Sequence, residues 1–486
     1  MCPIEEFKEL LKRDDLVDWI RSGIIGEGIE IEGPFGPRKM IYADYVASGR
    51  ALDQIENFVR EKVLPYYANS HTKASYCGAY MTEMREAARA EVARMTSSFS
   101  GTSVIFTGSG STAAINRIVG LLDIKGRLSR GGKALILVGP YEHHSNLLPW
   151  RESGAEIVEI NESNEGGPCL DTLNDMLTKA AGTDLIIGAF SAASNVTGII
   201  TDVNAVTRLL KSHGALAIWD YGCGAPYLPM DMKVGSTDAK DALVFSPHKF
   251  TGGPAASGVM IIRDQIAKLN YPTVPGGGTV NFVSPWGHSY SNRISDREEG
   301  GTPNIVGDIR VALAMLVKEA LGQDWLISRQ NSLRTKAIEV WSKNERLEVF
   351  SCEMKHALPI LSFRVRDGQG GYVHHQLFTR LLSDVEGIQA RGGCACAGPY
   401  AHRLLRLGRD QSIELENLVK TGQELEKPGW VRLNFSALMT EEKVETIINA
   451  VERLSVSVEK YQTSYSVDHS NAQFFPNHPN QNSFAS

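Results

Sequence analysis

The segment ALVFSPHKFTGGP, residues 242–254, joins a run of apolar residues to a glycine-rich turn through a serine, a histidine and a lysine. The run Ala242–Phe245 is typical of a buried strand, and the glycines let other groups approach the backbone closely. Lys249 therefore lies where a buried strand ends. Open sheets of parallel strands bind ligands beyond such ends, so Lys249 is a candidate functional residue.

Its neighbours indicate a particular chemistry. A lysine amine held in a partly desolvated pocket forms Schiff bases, and the side chains of Ser246 and His248 are donors suited to a phosphate. The combination suggests pyridoxal phosphate. The alternative is a lysine at an ordinary strand exit, because a single short motif carries a real false-positive risk.

Composition excludes several other classes of protein. The 486 residues are 42% hydrophobic and 22% charged with a net charge of −6, which is typical of a soluble globular chain with more than one domain and excludes a basic nucleic-acid-binding surface. No apolar run approaches the ~20 residues of a membrane span, and the first residues lack the apolar core of a signal peptide. The seven cysteines, an odd number spread thinly, predict a reducing compartment and a cytoplasmic protein.

Apolar runs alternate with helical patterns through the middle of the chain. The predicted strands are listed by residue number: 103–106, 134–138, 185–190, 215–219 and 242–245. Near-continuous apolar strands separated by helices predict a mostly parallel sheet covered on both faces. The loops that follow these strands are therefore the places to search for a site.

Two of these loops carry residues suited to a phosphate and to a flat ring. The loop 106–113, FTGSGSTA, places Ser111 and Thr112 at the start of a helix, where an anion binds favourably. It also matches the weak dinucleotide pattern GxGxxA, and a structural turn stays possible. The loop 139–146 contains His143 and His144, which suit a ring cover or proton transfer better than a metal. The alternative is one surface histidine beside one core histidine, with no role in binding.

Two further strand exits place an amide and a carboxylate at the same edge. Asn195 follows one strand, and Asp220 ends another. A buried aspartate needs a cationic partner, and a pyridinium nitrogen would provide one. Taken alone, each residue is more often a helix cap or a turn residue.

With these residues in order, the chain resembles the class V aminotransferase family of pyridoxal phosphate enzymes, in particular its cysteine desulfurase and selenocysteine lyase branch. The resemblance runs from about Tyr42 to Ser436. It implies an α/β fold of the aspartate aminotransferase-like type, PLP fold type I, with a mostly parallel sheet in the large domain and a smaller α+β domain. The implied boundaries are a segment 1–37 packing with the small domain, a large domain 38–305, a small domain 306–463 and a disordered tail 464–486.

The resemblance also implies roles for individual residues. Lys249 would carry the Schiff base, Asp220 would pair with the pyridinium nitrogen, His143 would stack on the ring, and Asn195 would lie near the ring hydroxyl. The implied phosphate-binding residues are Ser111, Thr112, Ser246 and His248. Thr302, in the segment GGTPN at 300–304, would reach the partner's phosphate across a homodimer with shared active sites.

The segment RGGCACAGP, residues 391–399, places two cysteines beside an arginine that can lower a thiol pKa. The resemblance implies that Cys396 takes up sulfur, whereas Cys394 stands where the branch often has a histidine. Cys394 can be a resolving thiol, a partner in metal binding or simply a small residue, although no further metal ligands are found. Arg432, in the apolar strand GWVRLNFS, is implied to bind the substrate carboxylate together with Arg391.

Two further features depart from the family pattern. Cys223 replaces the usual glutamine beside the ring hydroxyl, and the interval 399–427 is longer than expected and predicts an extra helical insert near the active-site mouth. We therefore expect an enzyme that cleaves the C–S or C–Se bond of an amino acid, converting L-cysteine to alanine with a persulfide on Cys396, and a sulfur-acceptor protein as its partner. Another reaction of the family, such as epimerisation or transamination, and a catalytically silent cofactor-binding protein are the alternatives.

Overall fold

The structure is a computed structural model that describes residues 2–70 and 72–477. Its helices, in chain order, are α1 (Pro3–Leu10), α2 (Leu16–Ser22), α3 (Asp53–Phe58), α4 (Tyr76–Met95), α5 (Gly110–Leu121), α6 (Ile124–Ser129), α7 (Leu148–Arg151), α8 (Leu170–Lys179), α9 (Val203–Ser212), α10 (Ile294–Glu298), α11 (Ile305–Leu321), α12 (Gln323–Trp341), α13 (His375–Glu386), α14 (Gly398–Leu404), α15 (Arg409–Lys420), α16 (Glu441–Ser455) and α17 (Glu459–Gln462).

The strands are β1 (Glu30–Ile31), β2 (Arg38–Lys39), β3 (Ile41–Tyr42), β4 (Thr102–Thr107), β5 (Ala134–Val138), β6 (Glu156–Glu159), β7 (Leu185–Ser191), β8 (Leu216–Asp220), β9 (Ala242–Phe245), β10 (Gly258–Arg263), β11 (Val280–Ser284), β12 (Gly287–Tyr290), β13 (Leu347–Val349), β14 (Ile360–Val365), β15 (Ile388–Gln389), β16 (Arg391–Gly393), β17 (Trp430–Asn434), β18 (Tyr465–Asp468) and β19 (Gln473–Pro476).

The chain divides into two compact units. The first unit comprises Met1–Ile24, Ser48–Ser194 and Ile200–Trp325, and the second comprises Ile25–Ala47, Asn195–Ile199 and Leu326–Ser486. No helix in the described part of the chain is long and apolar enough to cross a membrane.

The first unit is built on a seven-stranded sheet in the order β4-β10-β9-β8-β7-β5-β6. β10 runs antiparallel to both of its neighbours, and the pairs from β9 to β6 are parallel, which confirms the predicted mostly parallel sheet. β5 and β9 are buried at every position, as continuous apolar runs require when helices cover both faces. Ile118 of α5 and Trp150 of α7 belong to the core on one face of this sheet.

The second unit contains an antiparallel sheet in the order β13-β14-β17-β16 and a short parallel pair of β15 with β3. Its core is formed by these strands with α12, α13 and α16, and the fully buried Trp341 lies among them. The Trp341 indole nitrogen donates a hydrogen bond to the Ile448 carbonyl at 3.1 Å, so the one polar atom of this large side chain is paired.

The prediction for the N-terminal segment is wrong for its first part. Residues up to Ile24 belong to the first unit and not with the small domain. Phe7 packs edge-to-face on Phe58 with ring centroids 5.4 Å apart, and Lys8 pairs with Glu91 at 2.9 Å. The apolar face of α1 is therefore buried within the first unit, while residues 25–37 lie in the second unit.

The tail prediction is also wrong for residues 465–476, which form the antiparallel hairpin β18–β19. The Tyr465 hydroxyl donates to Asp384 at 2.8 Å, and Phe474 packs against His374. Two anchored aromatic residues compensate for the polar composition that predicted disorder. The end of the predicted tail, residues 478–486, lies outside the described residues. The insert after Pro399 is helical as predicted, because it contains α14 and α15.

Candidate active site

Lys249 lies on a short 3-10 turn, Pro247–Lys249, directly after β9. The proline suits the first position of the turn because its φ is already fixed near the helical value. The Gly49 amide donates to the His248 carbonyl at 2.9 Å, and a Cβ on Gly49 would lie 1.8 Å from the Phe250 carbonyl oxygen. The lysine is thus held on a turn that a second segment supports through a contact only glycine allows.

The phosphate-binding candidates Ser111 and Ser246 are brought together within the first unit. The Ser111 amide donates to Ser246 Oγ at 3.0 Å, and the two hydroxyl oxygens are 3.2 Å apart. Gly110 has a φ of 56°, and a Cβ there would lie 2.5 Å from Ser246 Oγ and 3.4 Å from the His248 ring. Two hydroxyl groups therefore gather at the N-terminus of α5, where backbone amides and the helix dipole favour an anion such as phosphate.

Asp220 ends β8 as a buried carboxylate, 6% exposed, whose hydrogen bonds come from neutral groups. The Gly222 amide donates to its Oδ1 at 2.7 Å, and the Ser111 hydroxyl also contacts it. Burial raises the pKa of Asp220, although the Gly222 amide, the Lys249 ammonium and Ser111 oppose that shift. A carboxylate in such surroundings is stabilised by a nearby cation, so it fits a protonated ring nitrogen.

Ser145 connects two more of the predicted residues. Thr112 Oγ1 and Ser145 Oγ are 2.6 Å apart, and the Ser145 amide donates to His143 Nδ1 at 3.1 Å. Because Nδ1 accepts this bond, the proton of the neutral His143 ring lies on Nε2. The histidine is therefore fixed in position and tautomer by a short segment that also contacts the start of α5.

Glu142 is a functional candidate that sequence reasoning missed. It is buried, and its carboxylate accepts hydrogen bonds from the Ser191 hydroxyl at 2.7 Å, the Ser191 amide at 2.9 Å and the Gly139 amide at 3.2 Å, besides the Asn146 side chain. Burial raises the pKa of Glu142 to about 7. The network fixes the loop that carries His143. Its sequence signal is a carboxylate in the loop four residues after the end of a fully buried strand.

In the second unit, Arg391 and Arg432 are opposite one another on the neighbouring strands β16 and β17. Like charges in this register repel, and Asp44 lies between them. The carboxylate accepts from Arg391 Nε at 3.0 Å and from Arg432 Nη2 at 3.1 Å, while Arg432 also donates to the Asn195 carbonyl at 3.1 Å. Two guanidinium groups on one carboxylate leave an excess of positive charge, which suits a bound carboxylate. Asp44, too, was missed from the sequence.

The two cysteines lie on a tight turn that follows β16. Cys396 is exposed, and Cys394 is half-buried with its thiol 2.8 Å from the Pro428 carbonyl oxygen. The Asn195 side-chain amide donates to the Ala395 carbonyl at 2.7 Å. Within the second unit, Asn195 therefore supports the cysteine turn, and its predicted position near a ring hydroxyl stays a prediction.

Thr302 and Cys223 are the remaining residues that the sequence singled out. Thr302 is exposed on the loop before α11, so its predicted role across a dimer stays a prediction. Cys223 is buried, and its thiol contacts the Ser194 carbonyl at 3.6 Å. The first unit thus brings together a lysine, a carboxylate, a histidine and two hydroxyl groups, and the second brings together two arginines with the cysteine turn.

Comparisons with known proteins show similarity over most of the chain. A family model described as Aminotransferase class-V matches residues 41–447. Among curated relatives, a probable cysteine desulfurase of Halalkalibacterium halodurans is 27% identical over 74% of this chain and 84% of its own length. A probable cysteine desulfurase of Pyrococcus abyssi is 27% identical over 87% of this chain and 96% of its own length.

Solved structures show the same fold. An apo cysteine desulfurase from Thermococcus onnurineus has a TM-score of 0.71 at 24% identity and covers 86% of this chain and 95% of its own. The cysteine desulfurase CsdA from Escherichia coli, in an S-sulfonic acid form, has a TM-score of 0.64 at 25% identity and covers 86% and 94%. The predicted fold class is confirmed.

Proposed function

Since the chain belongs to the aminotransferase class-V family, we propose that it removes sulfur from cysteine or a related amino acid and leaves alanine. Members of this family are pyridoxal phosphate-dependent enzymes. The observation that carries the choice of reaction is the exposed Cys396 on its tight turn, because a sulfur-accepting thiol must be accessible. The curated relatives named above, called probable cysteine desulfurases, support the same choice.

The first unit's residues suit pyridoxal phosphate. Ser111, Ser246 and the N-terminus of α5 would hold the phosphate, and Asp220 would hold the protonated ring nitrogen. His143, fixed by Ser145, would cover the ring. When bound, the cofactor supplies an electron sink for charge that develops at the substrate α-carbon.

The chain's own residues perform the remaining work. Lys249 would anchor the cofactor and, when its amine is free, take the proton from the substrate α-carbon. Arg432 and Arg391 would hold the substrate carboxylate in the orientation that Asp44 gives them. The Cys396 thiolate would attack the substrate sulfur and retain it as a persulfide.

The experiment is a comparison of the holoprotein with its Cys396→Ser variant. Purified protein is incubated with L-cysteine and a reductant, and alanine and sulfide are measured together. We expect equal amounts of both from the wild type and a loss of both in Cys396→Ser, with Cys352→Ser, a change at another cysteine of the second unit, as the matched control. Full activity of Cys396→Ser would instead favour a reaction of the family that needs no thiol.

We further propose a homodimer of cytoplasmic location. No disulfide joins any of the seven cysteines, all of which lie in the described residues, as is typical of a reducing compartment. The hairpin β11–β12 exposes Phe282, Val283 and Trp286, the last at 92%, which is a large apolar surface for a lone chain. The Gly301 amide donates to the Gly277 carbonyl at 2.8 Å and so joins this region to the Thr302 loop. A protein that accepts the sulfur is a further proposed partner.

A further inference from the structure

Residues 394–397 form a β-turn with an unusual composition. The Ala397 amide donates to the Cys394 carbonyl at 3.1 Å and closes the turn. The central residues Ala395 and Cys396 have φ values of 51° and 54°. Positive φ at both central positions defines a type I′ turn, which glycine, asparagine and aspartate normally occupy. Here both positions carry side chains that avoid this conformation.

Such a conformation persists only where the surroundings enforce it. The Asn195 side-chain amide donates a hydrogen bond to the Ala395 carbonyl at 2.7 Å, and Asn195 itself is only 6% exposed. A buried side chain therefore fixes the central peptide of the turn. The next residues begin α14, and the preceding ones belong to β16. Backbone strain that is held in this way is characteristic of functional segments.

The turn brings the two cysteines within disulfide range. The φ values of Ala395 and Cys396 are those of a left-handed helix. In a helix of either hand, the Cα atoms of residues i and i+2 are ~5.4 Å apart. Disulfides span about 4.4–6.8 Å between Cα atoms. Cys394 and Cys396 are thus able to form a bond across Ala395 through side-chain rotation.

The two thiols have different surroundings. Cys396 is exposed and able to meet a substrate, whereas Cys394 is half-buried and its thiol contacts the Pro428 carbonyl at 2.8 Å. Burial raises the pKa of Cys394, and the nearby Lys427 ammonium opposes that shift. The Cys396 thiol is therefore accessible to a substrate sulfur, whereas the Cys394 thiol is shielded from solvent and lies beside the residue that would carry the persulfide.

We propose that Cys394 is a resolving thiol that releases sulfide from Cys396, an inference that rests on the proposed desulfurase function. The Cys394 thiolate attacks the inner sulfur of the Cys396 persulfide, the S–S bond of the persulfide breaks, and HS⁻ leaves with the electron pair. A Cys394–Cys396 disulfide forms. The two cysteines lose two electrons in total, and the transferred sulfur gains them.

This reaction makes each turnover depend on a thiol reductant. Two external thiols, or one dithiol, reduce the turn disulfide to two cysteines and become a disulfide themselves. A disulfide across a single residue is strained and is therefore reduced readily. When no acceptor protein takes the persulfide sulfur first, the product is free sulfide.

The experiment follows a single turnover. The holoprotein is reduced, freed of reductant, given one equivalent of L-cysteine so that no substrate thiol remains, and then alkylated. Trypsin releases residues 392–403, which contain both cysteines of the turn. We expect one equivalent of alanine, one of sulfide, and a peptide that lacks two hydrogens and carries no alkyl group.

Variants separate the resolving step from sulfur uptake. Cys394→Ser and Cys394→Ala should still form alanine, which shows that they fold, but they should release no sulfide and retain an alkylated persulfide on Cys396. The Cys352→Ser control should behave as the wild type. Addition of a dithiol should restore sulfide release in the two Cys394 variants, because it reduces the persulfide directly.

Other outcomes overturn the inference. A wild-type peptide that retains a persulfide on Cys396 beside an alkylated Cys394, or one with the persulfide on Cys394, would leave the desulfurase function intact and refute the resolving role. If the wild type forms no alanine, the proposed function itself has failed, and the inference fails with it.

Discussion

Two buried aspartates illustrate how differently the two units hold their functional groups. Asp220, in the first unit, is hydrogen-bonded by the neutral Gly222 amide and Ser111 hydroxyl, and burial raises its pKa. Asp44, in the second unit, lies between the guanidinium groups of Arg391 and Arg432. The first carboxylate is buried among neutral donors with the Lys249 ammonium nearby, and we expect it to receive a further cation from a bound ring. The second aligns two guanidinium groups that donate to it directly.

The difference separates cofactor binding from choice of reaction. The first unit positions Lys249 and the Ser111–Ser246 pair by close backbone approach, which tolerates little change. The second unit relies on charges and on an exposed, strained turn, which substitutions can alter without disturbing the sheet. Substitutions confined to one unit therefore test this division.

Replacing Lys249 by alanine should have the largest effect. Removal of the amine eliminates both the covalent anchor and the base, so alanine formation should fall by about 10²–10⁴-fold or more. Turnover of L-cysteine and the visible absorbance of the purified protein measure the two losses. Lys268→Ala, a change at an exposed lysine of the same unit, is the matched control. Retention of activity in Lys249→Ala would contradict the role of Lys249 as the covalent anchor and the base.

Glu142 should make the first unit sensitive to pH. Because burial raises the pKa of this group to about 7, its neutral form stabilises the folded state below its ordinary pKa. This stabilisation is lost as the pH rises through the range up to about 7, and the free energy of unfolding does not change further with this group above that pH. Relative to Glu142→Gln, the wild type should lose about 3 kcal/mol of unfolding free energy between pH 4.5 and 8.

Denaturant unfolding at several pH values measures this difference. Glu152→Gln, at an exposed position of the same unit, should show no such dependence on pH. A constant difference between the wild type and Glu142→Gln over the same range would contradict the account of the buried network.

Replacing the two aspartates by asparagine should change the unfolding free energy of the apoprotein in opposite directions. In the apoprotein, Asp44→Asn leaves two arginines opposed and should lower the unfolding free energy by about 2 kcal/mol, because Arg391 is partly solvated. Asp220→Asn removes a buried charge and should raise the unfolding free energy of the apoprotein, while it weakens binding of pyridoxal phosphate. Unfolding of the apoproteins and titration with the cofactor check both signs. If both variants are destabilised equally, the contrast between the units is lost.

Replacing either Arg432 or Arg391 by lysine should have the smallest effect on activity, and the two variants can be compared within the second unit. The Arg432 side chain is 5% exposed, whereas the Arg391 side chain is 54% exposed. Lysine retains the charge but not the planar fork, so Arg432→Lys should lower kcat/KM by about tenfold and Arg391→Lys by less than about threefold. Steady-state kinetics with L-cysteine measures both. A larger loss in Arg391→Lys would reverse the assignment of the principal carboxylate ligand.

Sequence patterns predicted the first unit better than the second. Continuous apolar strands and the loops after them are local features, so Lys249, Asp220 and Ser111 could be located by strand ends alone. Glu142 escaped because its sequence does not reveal that the side chain turns inward to accept several amide and hydroxyl hydrogen bonds.

The second unit depends on pairings between distant residues. Asp44 meets Arg391 and Arg432 only after the fold brings together segments more than three hundred residues apart, and no local pattern encodes that contact. The type I′ turn at Ala395 and Cys396 carries neither glycine nor asparagine, so its conformation has no composition signal. The hairpin β18–β19 was likewise hidden by its polar composition.

Chemical trapping of the cofactor is the most direct test of the account. Holoprotein is reduced with borohydride, digested and analysed by mass spectrometry to find the lysine that carries a phosphopyridoxyl group. We predict modification of Lys249, on the turn after β9. Modification of another lysine, such as the buried Lys240 or the half-buried Lys318, or of none, would contradict the assignment of Lys249 as the lysine that binds the cofactor.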